Sequence, residues 1–270
     1  MIPQGKKLII FALLLILAFA PLPVCSADNV LTISQVLRVI DGDTFEIQGG
    51  ERVRLLGIDT PENGDLLSDV AASRLRELVK HGPVDLRLCD ERDKYGRLLA
   101  TVSANGSDVN RILLREGLAL PMLIPPCGRT VAEGVLVAAG KGAMSGKGIY
   151  SLDKNKIISH TEACDHVGER AIVRGKILKL HKGRKAWHLN FGQDYRTDFT
   201  AVMFRDGQNR FSELGLDPAL LVGSEVLVIG KVKRYNGPEI IVHGPDQILP
   251  LEGMTIQNSR SKIQKDSGER

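Results

Sequence analysis

From Val30 to Ala104 the apolar positions come in short runs broken by polar and glycine punctuation. Leu31–Ile40, Thr44–Ile47, Arg52–Ile58, Val84–Leu88 and Leu98–Ser103 read as strands, separated by Asp-Gly, Gly-Gly and Gly-Pro pairs. The period changes after Ser68-Asp69. Val70, Leu75, Leu78 and Val79 then fall at roughly helical spacing, until His81-Gly82-Pro83 ends the run. A second helix is expected over Asp108–Glu116, with Val109, Ile112 and Leu113 inward and Gly117 as its stop, and a third near Val131–Ala139.

Five strands with a helix between the third and fourth predict a small barrel of the oligonucleotide/oligosaccharide-binding (OB) type over residues 28–152. Residues 153–160 are polar and read as a linker. A second β-rich pattern follows in Ala171–Leu180, Ala186–Phe191, Phe199–Phe204, Glu225–Val232 and Glu239–Val242, with Phe211–Leu221 bridging strands. It predicts another small OB-like barrel over 161–252. The polar tail, 253–270, is expected to be disordered. The expected class is therefore mainly β with helices (α+β): a five-stranded OB-type barrel followed by a second small barrel.

At the other end, Lys6-Lys7 precede the apolar run Leu8–Ala20, and Pro21, Pro23, Cys25, Ser26 and Ala27 follow. A basic start, a short apolar run and small residues make a secretory signal, expected to be cut after Ala27. The run is shorter than the roughly 20 residues a spanning helix needs. An exported chain, periplasmic or secreted, with no membrane span after cleavage is expected; an uncleaved anchor and a lipoprotein modified at Cys25 are the weaker alternatives. Such a chain keeps Cys89, Cys127 and Cys164, with no Cys/His spacing suited to zinc. Export favours one disulfide among the three and leaves one cysteine over, which the sequence does not assign; Cys89 with Cys127, at strand or loop ends flanking the acidic motifs, is the pairing to test.

Composition narrows the class without naming a function. Charged residues are 25% and apolar residues 43%, which excludes fibrous and wholly disordered chains. Residues 28–150 carry 15 basic and 17 acidic groups, and residues 151–250 carry 15 and 12. Neither block is basic enough for bulk charge to announce nucleic acid.

The chemistry lies at strand ends. Asp41-Gly42-Asp43-Thr44 joins two strands, and Asp59-Thr60-Pro61-Glu62 follows another. Pro61 fixes its own φ and biases Thr60 to extended backbone, so the groups around it are held in a set relation. Hard oxygen ligands of this kind suit Ca²⁺ or Mg²⁺. Arg54 and Arg97 supply guanidinium groups, each able to hold two oxygens of one phosphate. Arg54 and Asp59 are five residues apart, so a flat strand would place them on opposite faces. Gly57 is the residue that could bend the chain and reconcile them.

Val39-Ile40-Asp41-Gly42-Asp43-Thr44, Arg54-Leu55-Leu56-Gly57-Ile58-Asp59-Thr60-Pro61-Glu62, Asp93-Lys94-Tyr95-Gly96-Arg97, and Val109-Asn110 with Gly117-Leu118-Ala119 together resemble the staphylococcal nuclease (thermonuclease) family in order and spacing. The resemblance covers about residues 33–152. It implies a Ca²⁺-dependent nuclease that cuts DNA or RNA and leaves 3′-phosphates. By motif, it implies that Asp43, Asp59 and the Thr60 carbonyl hold calcium, with Asp41 behind them. Glu62 would act on the attacking water, and Arg54 and Arg97 on the phosphate. The family's tyrosines after Gly117-Leu118-Ala119 are missing: this chain reads Leu120-Pro121-Met122-Leu123-Ile124-Pro125-Pro126-Cys127.

Beyond the catalytic set, Lys94 and, in the second unit, Arg174, Lys176, Lys182, Arg184, Lys185 and Trp187 are candidates for holding nucleic acid. Basic groups track phosphates and aromatic rings stack bases. No obligate protein partner is expected. Two rivals remain at this stage: a nucleic-acid binder whose nuclease fold no longer cuts, and an envelope scaffold. Retention of Asp43, Asp59, Glu62, Arg54 and Arg97 together favours the enzyme.

Overall fold

The computed structural model describes residues 29–152 and 156–253. The expected leader, residues 153–155 of the expected linker, and the tail from 254 onward lie outside the described residues.

The first unit opens with β1 (Val30–Ile33), β2 (Arg38–Val39), β3 (Thr44–Glu46), β4 (Arg52–Leu55) and β5 (Ile58–Asp59). Helix α1 (Ser68–Val79) precedes β6 (Val84–Arg92), β7 (Leu98–Ala104) and β8 (Ser107–Asp108). Then come α2 (Val109–Arg115), β9 (Leu120–Pro121) and α3 (Gly128–Ser145). The main sheet runs β1-β6-β7-β4-β3-β2. The run read as Leu31–Ile40 thus splits into β1 and β2, which lie at opposite ends of one sheet. The result is a curled half-barrel, mainly β with helices. In it β4 pairs antiparallel with β3 and parallel with β7, so Arg54 sits opposite both Thr44 and Leu99.

Local chemistry explains the helices. In α1 the buried stripe is Ala71, Leu75 and Val79, at four-residue spacing, while Val70 faces solvent. Helix α2 starts where the Asp108 side chain accepts a hydrogen bond from the Arg111 backbone N–H. Helix α3 is twice the length that its apolar spacing suggests.

The second unit contains β10 (Ile157–Ser159), β11 (Arg170–Lys176), β12 (Lys179–Lys182), β13 (Ala186–Asn190), β14 (Thr200–Phe204) and α4 (Arg205–Glu213). It continues with β15 (Glu225–Lys231), β16 (Lys233–Arg234), β17 (Pro238–Ile241) and β18 (Ile248–Pro250). Four strands order as β10-β11-β15-β18 and five as β12-β13-β14-β17-β16, packed around one apolar cluster that includes Leu189, Phe199, Met203 and Ile240. Part of the expected linker is β10, which pairs parallel with β11.

The two units are joined by packing. Ile172, Leu214, Leu227 and Leu249 belong to the same buried cluster as Leu136 and Ala139 of α3. Arg210 of α4 donates to the Leu123 carbonyl at 2.9 Å, and Arg129 of α3 donates to the Glu213 carbonyl at 3.0 Å. Cys89 and Cys127 form the expected disulfide, tying β6 to the start of α3, and Cys164 is free and exposed. Among the described residues no helix is long and apolar enough to cross a membrane.

Candidate active site

The turn after β4 decides the site. Gly57 has φ of +82°, a conformation L-residues avoid, and it reverses the chain between β4 and β5. Arg54 and Asp59, which a flat strand would separate, therefore meet: Arg54 Nη2 lies 2.8 Å from Asp59 Oδ1. The other guanidinium nitrogen, Nη1, lies 2.8 Å from Asp43 Oδ2 and donates to the Ile58 carbonyl at 2.9 Å. Arg54 is only 6% exposed, and Asp43 only 5%.

Asp43 is the most constrained carboxylate of the group. Its Oδ2 accepts from the Thr60 backbone N–H at 2.9 Å and from the Thr60 hydroxyl at 2.8 Å, and its Oδ1 accepts from the Thr44 hydroxyl at 3.0 Å. Asp41 Oδ1 accepts from the Asp43 backbone N–H at 3.0 Å, which fixes the turn. Gly42 is required between them, because a Cβ there would fall 2.6 Å from Thr60 Oγ1 and 2.7 Å from Ala71 Cβ. Burial pushes the Asp43 carboxyl up to about 6, against the opposing pull of Arg54 and of the Thr60 N–H.

Arg97 approaches from the turn between β6 and β7. Its Nε donates to Asp93 Oδ2 at 2.6 Å and its Nη1 to the Thr44 hydroxyl at 3.4 Å. Burial works against the Asp93 charge, but hydrogen bonds from Arg97 and Tyr95 outweigh it and hold the carboxyl below its usual range. The Tyr95 ring centre lies 5.3 Å from the Arg97 guanidinium.

All the expected catalytic and metal-binding residues line one cavity of about 250 Å³: Asp41, Asp43, Arg54, Asp59, Thr60, Glu62 and Arg97. Pro61, Tyr95 and Met122 complete its wall. Three contributions were not singled out from the sequence: the Thr60 side chain, the Asp93 brace and Asn110. The last is buried and accepts from the Val102 N–H at 2.9 Å while donating to the Leu56 carbonyl at 2.9 Å. It locks α2 to the strand end that leads to Gly57. Its position after Val109 within a matching motif was the available signal.

The donors facing the cavity are oxygen atoms, the set a hard divalent cation takes. Among the described residues no three carboxylate, imidazole or thiolate side chains stand together as a ready metal cluster. A cation here would therefore rest on two carboxylates with backbone oxygen and water.

The remaining candidates are dispersed. Lys94 lies beside the cavity, its ammonium 5.0 Å from the Tyr95 ring centre. Lys182 sits 4.6 Å from the half-buried Trp187 ring, on paired positions of β12 and β13. Arg184 and Lys185 occupy the exposed turn between those strands. Arg174 and Lys176 lie on β11 in the other sheet, where Arg174 pairs with Glu225 at 2.8 Å.

An OB-like half-barrel carrying paired carboxylates and two arginines defines a nuclease-type domain, and comparison with known proteins agrees. Residues 52–147 match the family described as Staphylococcal nuclease homologue, so the chain carries a domain of that family. It is 46% identical over 93 residues to the endonuclease YncB of Bacillus subtilis, a match covering 30% of this chain and 44% of that protein. The SPbeta prophage-derived endonuclease YokF of Bacillus subtilis is 44% identical over 93 residues, covering 30% and 31%. The thermonuclease of Staphylococcus intermedius is 40% identical over 101 residues, covering 34% and 60%. The chain thus spans between about a third and three-fifths of these relatives' length.

Proposed function

We propose that the chain is an exported, calcium-dependent nuclease that hydrolyses phosphodiester bonds of DNA or RNA and leaves 3′-phosphate ends. The observation that carries this reading is the buried Arg54, held at 2.8 Å between Asp43 and Asp59 on the wall that Glu62 and Arg97 share. Nuclease-named relatives support it over the matched segment. The basic and apolar leader, together with the Cys89–Cys127 disulfide, supports an oxidising compartment.

Asp43, Asp59 and the Thr60 carbonyl would hold the calcium ion, with Asp41 fixing the turn behind them. When bound, the ion supplies positive charge for the phosphoryl oxygens. The protein's own groups do the rest. Glu62, exposed at the cavity mouth, accepts the proton of the attacking water. Arg97, braced through Nε by Asp93, turns its remaining N–H groups to the phosphate. Arg54 fixes the carboxylates and adds charge where the pentacoordinate phosphorus builds it.

Residues 161–252 are read as an OB-like unit. The antiparallel β11–β15 pair, the β12-β13-β14 meander and the parallel β14–β17 pair around α4 support that reading.

Plasmid DNA and single-stranded RNA should be cut with calcium, not cut in chelator, and cut again on calcium addition. Undiminished cutting in chelator would remove calcium from the reading, and no cutting at all would remove the enzyme.

A further inference from the structure

The five-stranded sheet of the second unit buries one face, with Leu189, Ala201 and Met203 in the core. Its other face mixes polar side chains with Val202 and Ile241. The register aligns Lys179, Asn190, Thr200 and Glu239 in one row across β12, β13, β14 and β17. His181 and His188 stand side by side in the next row, ring centres 5.9 Å apart.

This face is a groove rather than an open surface. It encloses about 730 Å³, in the size range of ligand sites and larger than the catalytic cavity. Two loops wall it: one between β13 and β14 carrying Tyr195, the other between β16 and β17 carrying Tyr235. Both rings are held out in solvent, 55% and 82% exposed. His188, on the groove wall, has its Nδ1 shielded from water. Exposed aromatic rings on either side of this floor are poorly explained by folding alone, since neither ring contributes to the core.

We propose that this groove binds a single-stranded stretch of polynucleotide, with bases stacked on Tyr195 and Tyr235 and their edges met by Asn190, Gln193 and Asn236. Charge favours this occupant. Lys179 enters the groove, the Arg196 guanidinium lies 5.6 Å from the Tyr195 ring, and the groove's carboxylate, Glu239, is offset by Lys233 on the paired strand. Cations beside aromatic rings are the pattern of sequence-tolerant single-strand binding. The choice of nucleic acid over another polymer rests on the nuclease reading of the first unit. The two units share a buried cluster, so a strand long enough to occupy both sites binds the second as an intramolecular event.

The test is binding of a fluorescein-labelled 15-nucleotide oligothymidylate to the full chain in chelator, followed by anisotropy. Chelator stops cutting and keeps calcium-assisted binding at the catalytic cavity out of the measurement. Stacking contributes roughly 1–3 kcal/mol per base. The Tyr195→Ala/Tyr235→Ala double variant should therefore bind at least about twentyfold more weakly, while Tyr195→Phe/Tyr235→Phe binds as the parent does. Equal binding by parent and double alanine variant would overturn the proposal. So would a parent that ignores the oligonucleotide but binds chitohexaose, which would make the groove a glycan site. Failure of the parent to cut any nucleic acid with calcium would remove the nuclease reading and leave this binding result standing.

Discussion

The two units share features of strand pairing but differ in sheet number and in what they bury. In each, a leading segment splits into two strands with different partners: β1 pairs with β6 and β2 with β3 in the first, β11 with β15 and β12 with β13 in the second. In each, a parallel pair follows, β4 with β7 and β14 with β17. The buried polar residues do not repeat. The first unit buries Asp43, Thr44, Arg54, Thr60, Ser68 and Asn110; among the described residues the second buries only Thr200. Desolvated charge is expensive and persists only where it is paired and hydrogen-bonded. The first unit is thus built to hold charge away from water, and the second to present polar groups and rings to it.

The largest effect should come from the buried pair. Arg54→Ala strands Asp43 without its cation, which costs about 3–5 kcal/mol for a buried ion pair broken on one side. Urea unfolding should register that loss along with abolished cutting. A variant as stable as the parent would show that Asp43 takes up a proton at little cost, and would weaken the contrast between the units.

Next is Glu62→Gln. Loss of a general base lowers kcat by about 10²-fold or more. Glu62 is exposed, so the melting temperature should not move. Near-normal turnover would exclude Glu62 from the chemistry. Gly140→Ala probes the seam between the units. A Cβ there would fall 2.5 Å from the Pro250 carbonyl oxygen and 3.2 Å from its carbon, both backbone atoms that cannot step aside alone. Overpacking of this kind costs about 1–3 kcal/mol. Because both units share the seam, calorimetry should show a single transition shifted down; two separate transitions would show that the units fold independently. The smallest effect belongs to Lys182→Ala, an exposed cation over Trp187. Stability should change by no more than about 0.5 kcal/mol. If Lys182 touches a phosphate, the salt dependence of nucleic-acid binding should lose about one unit of slope, measured by anisotropy from low to moderate salt.

What could be read from the sequence follows the same division. Asp43, Asp59, Glu62, Arg54 and Arg97 sit in short motifs whose geometry is local, and a single glycine at φ +82° was enough to reconcile Arg54 with Asp59. Export made one disulfide among Cys89, Cys127 and Cys164 legible, and the fold selects Cys89 with Cys127. What escaped depends on distant contacts. Helix α3 carries Gly134, Gly140 and Gly142, which weaken any helical pattern. Each makes room for a neighbour: the Arg111 guanidinium, the Pro250 carbonyl and the Leu114 carbonyl. Likewise Ile157–Ser159 look polar in context and become a strand only because β11 offers an edge. Tyr235 escaped because it lies 40 positions from Tyr195 and comes to the same groove only through strand pairing.

The seam has a consequence for how the chain is born. Leu249, on the last described strand, completes the apolar cluster around Leu136 and Ala139, more than a hundred positions earlier. A chain emerging amino-terminus first carries all of the catalytic motifs long before it can cover α3. During synthesis the uncovered helix remains a sticky surface, and the catalytic unit reaches its final packing only after nearly the whole length has appeared. Contacts of such long sequence separation slow folding. On the proposed export route, that delay keeps the chain threadable while it is being made, and it couples packing of the candidate site to completion of the groove beside it.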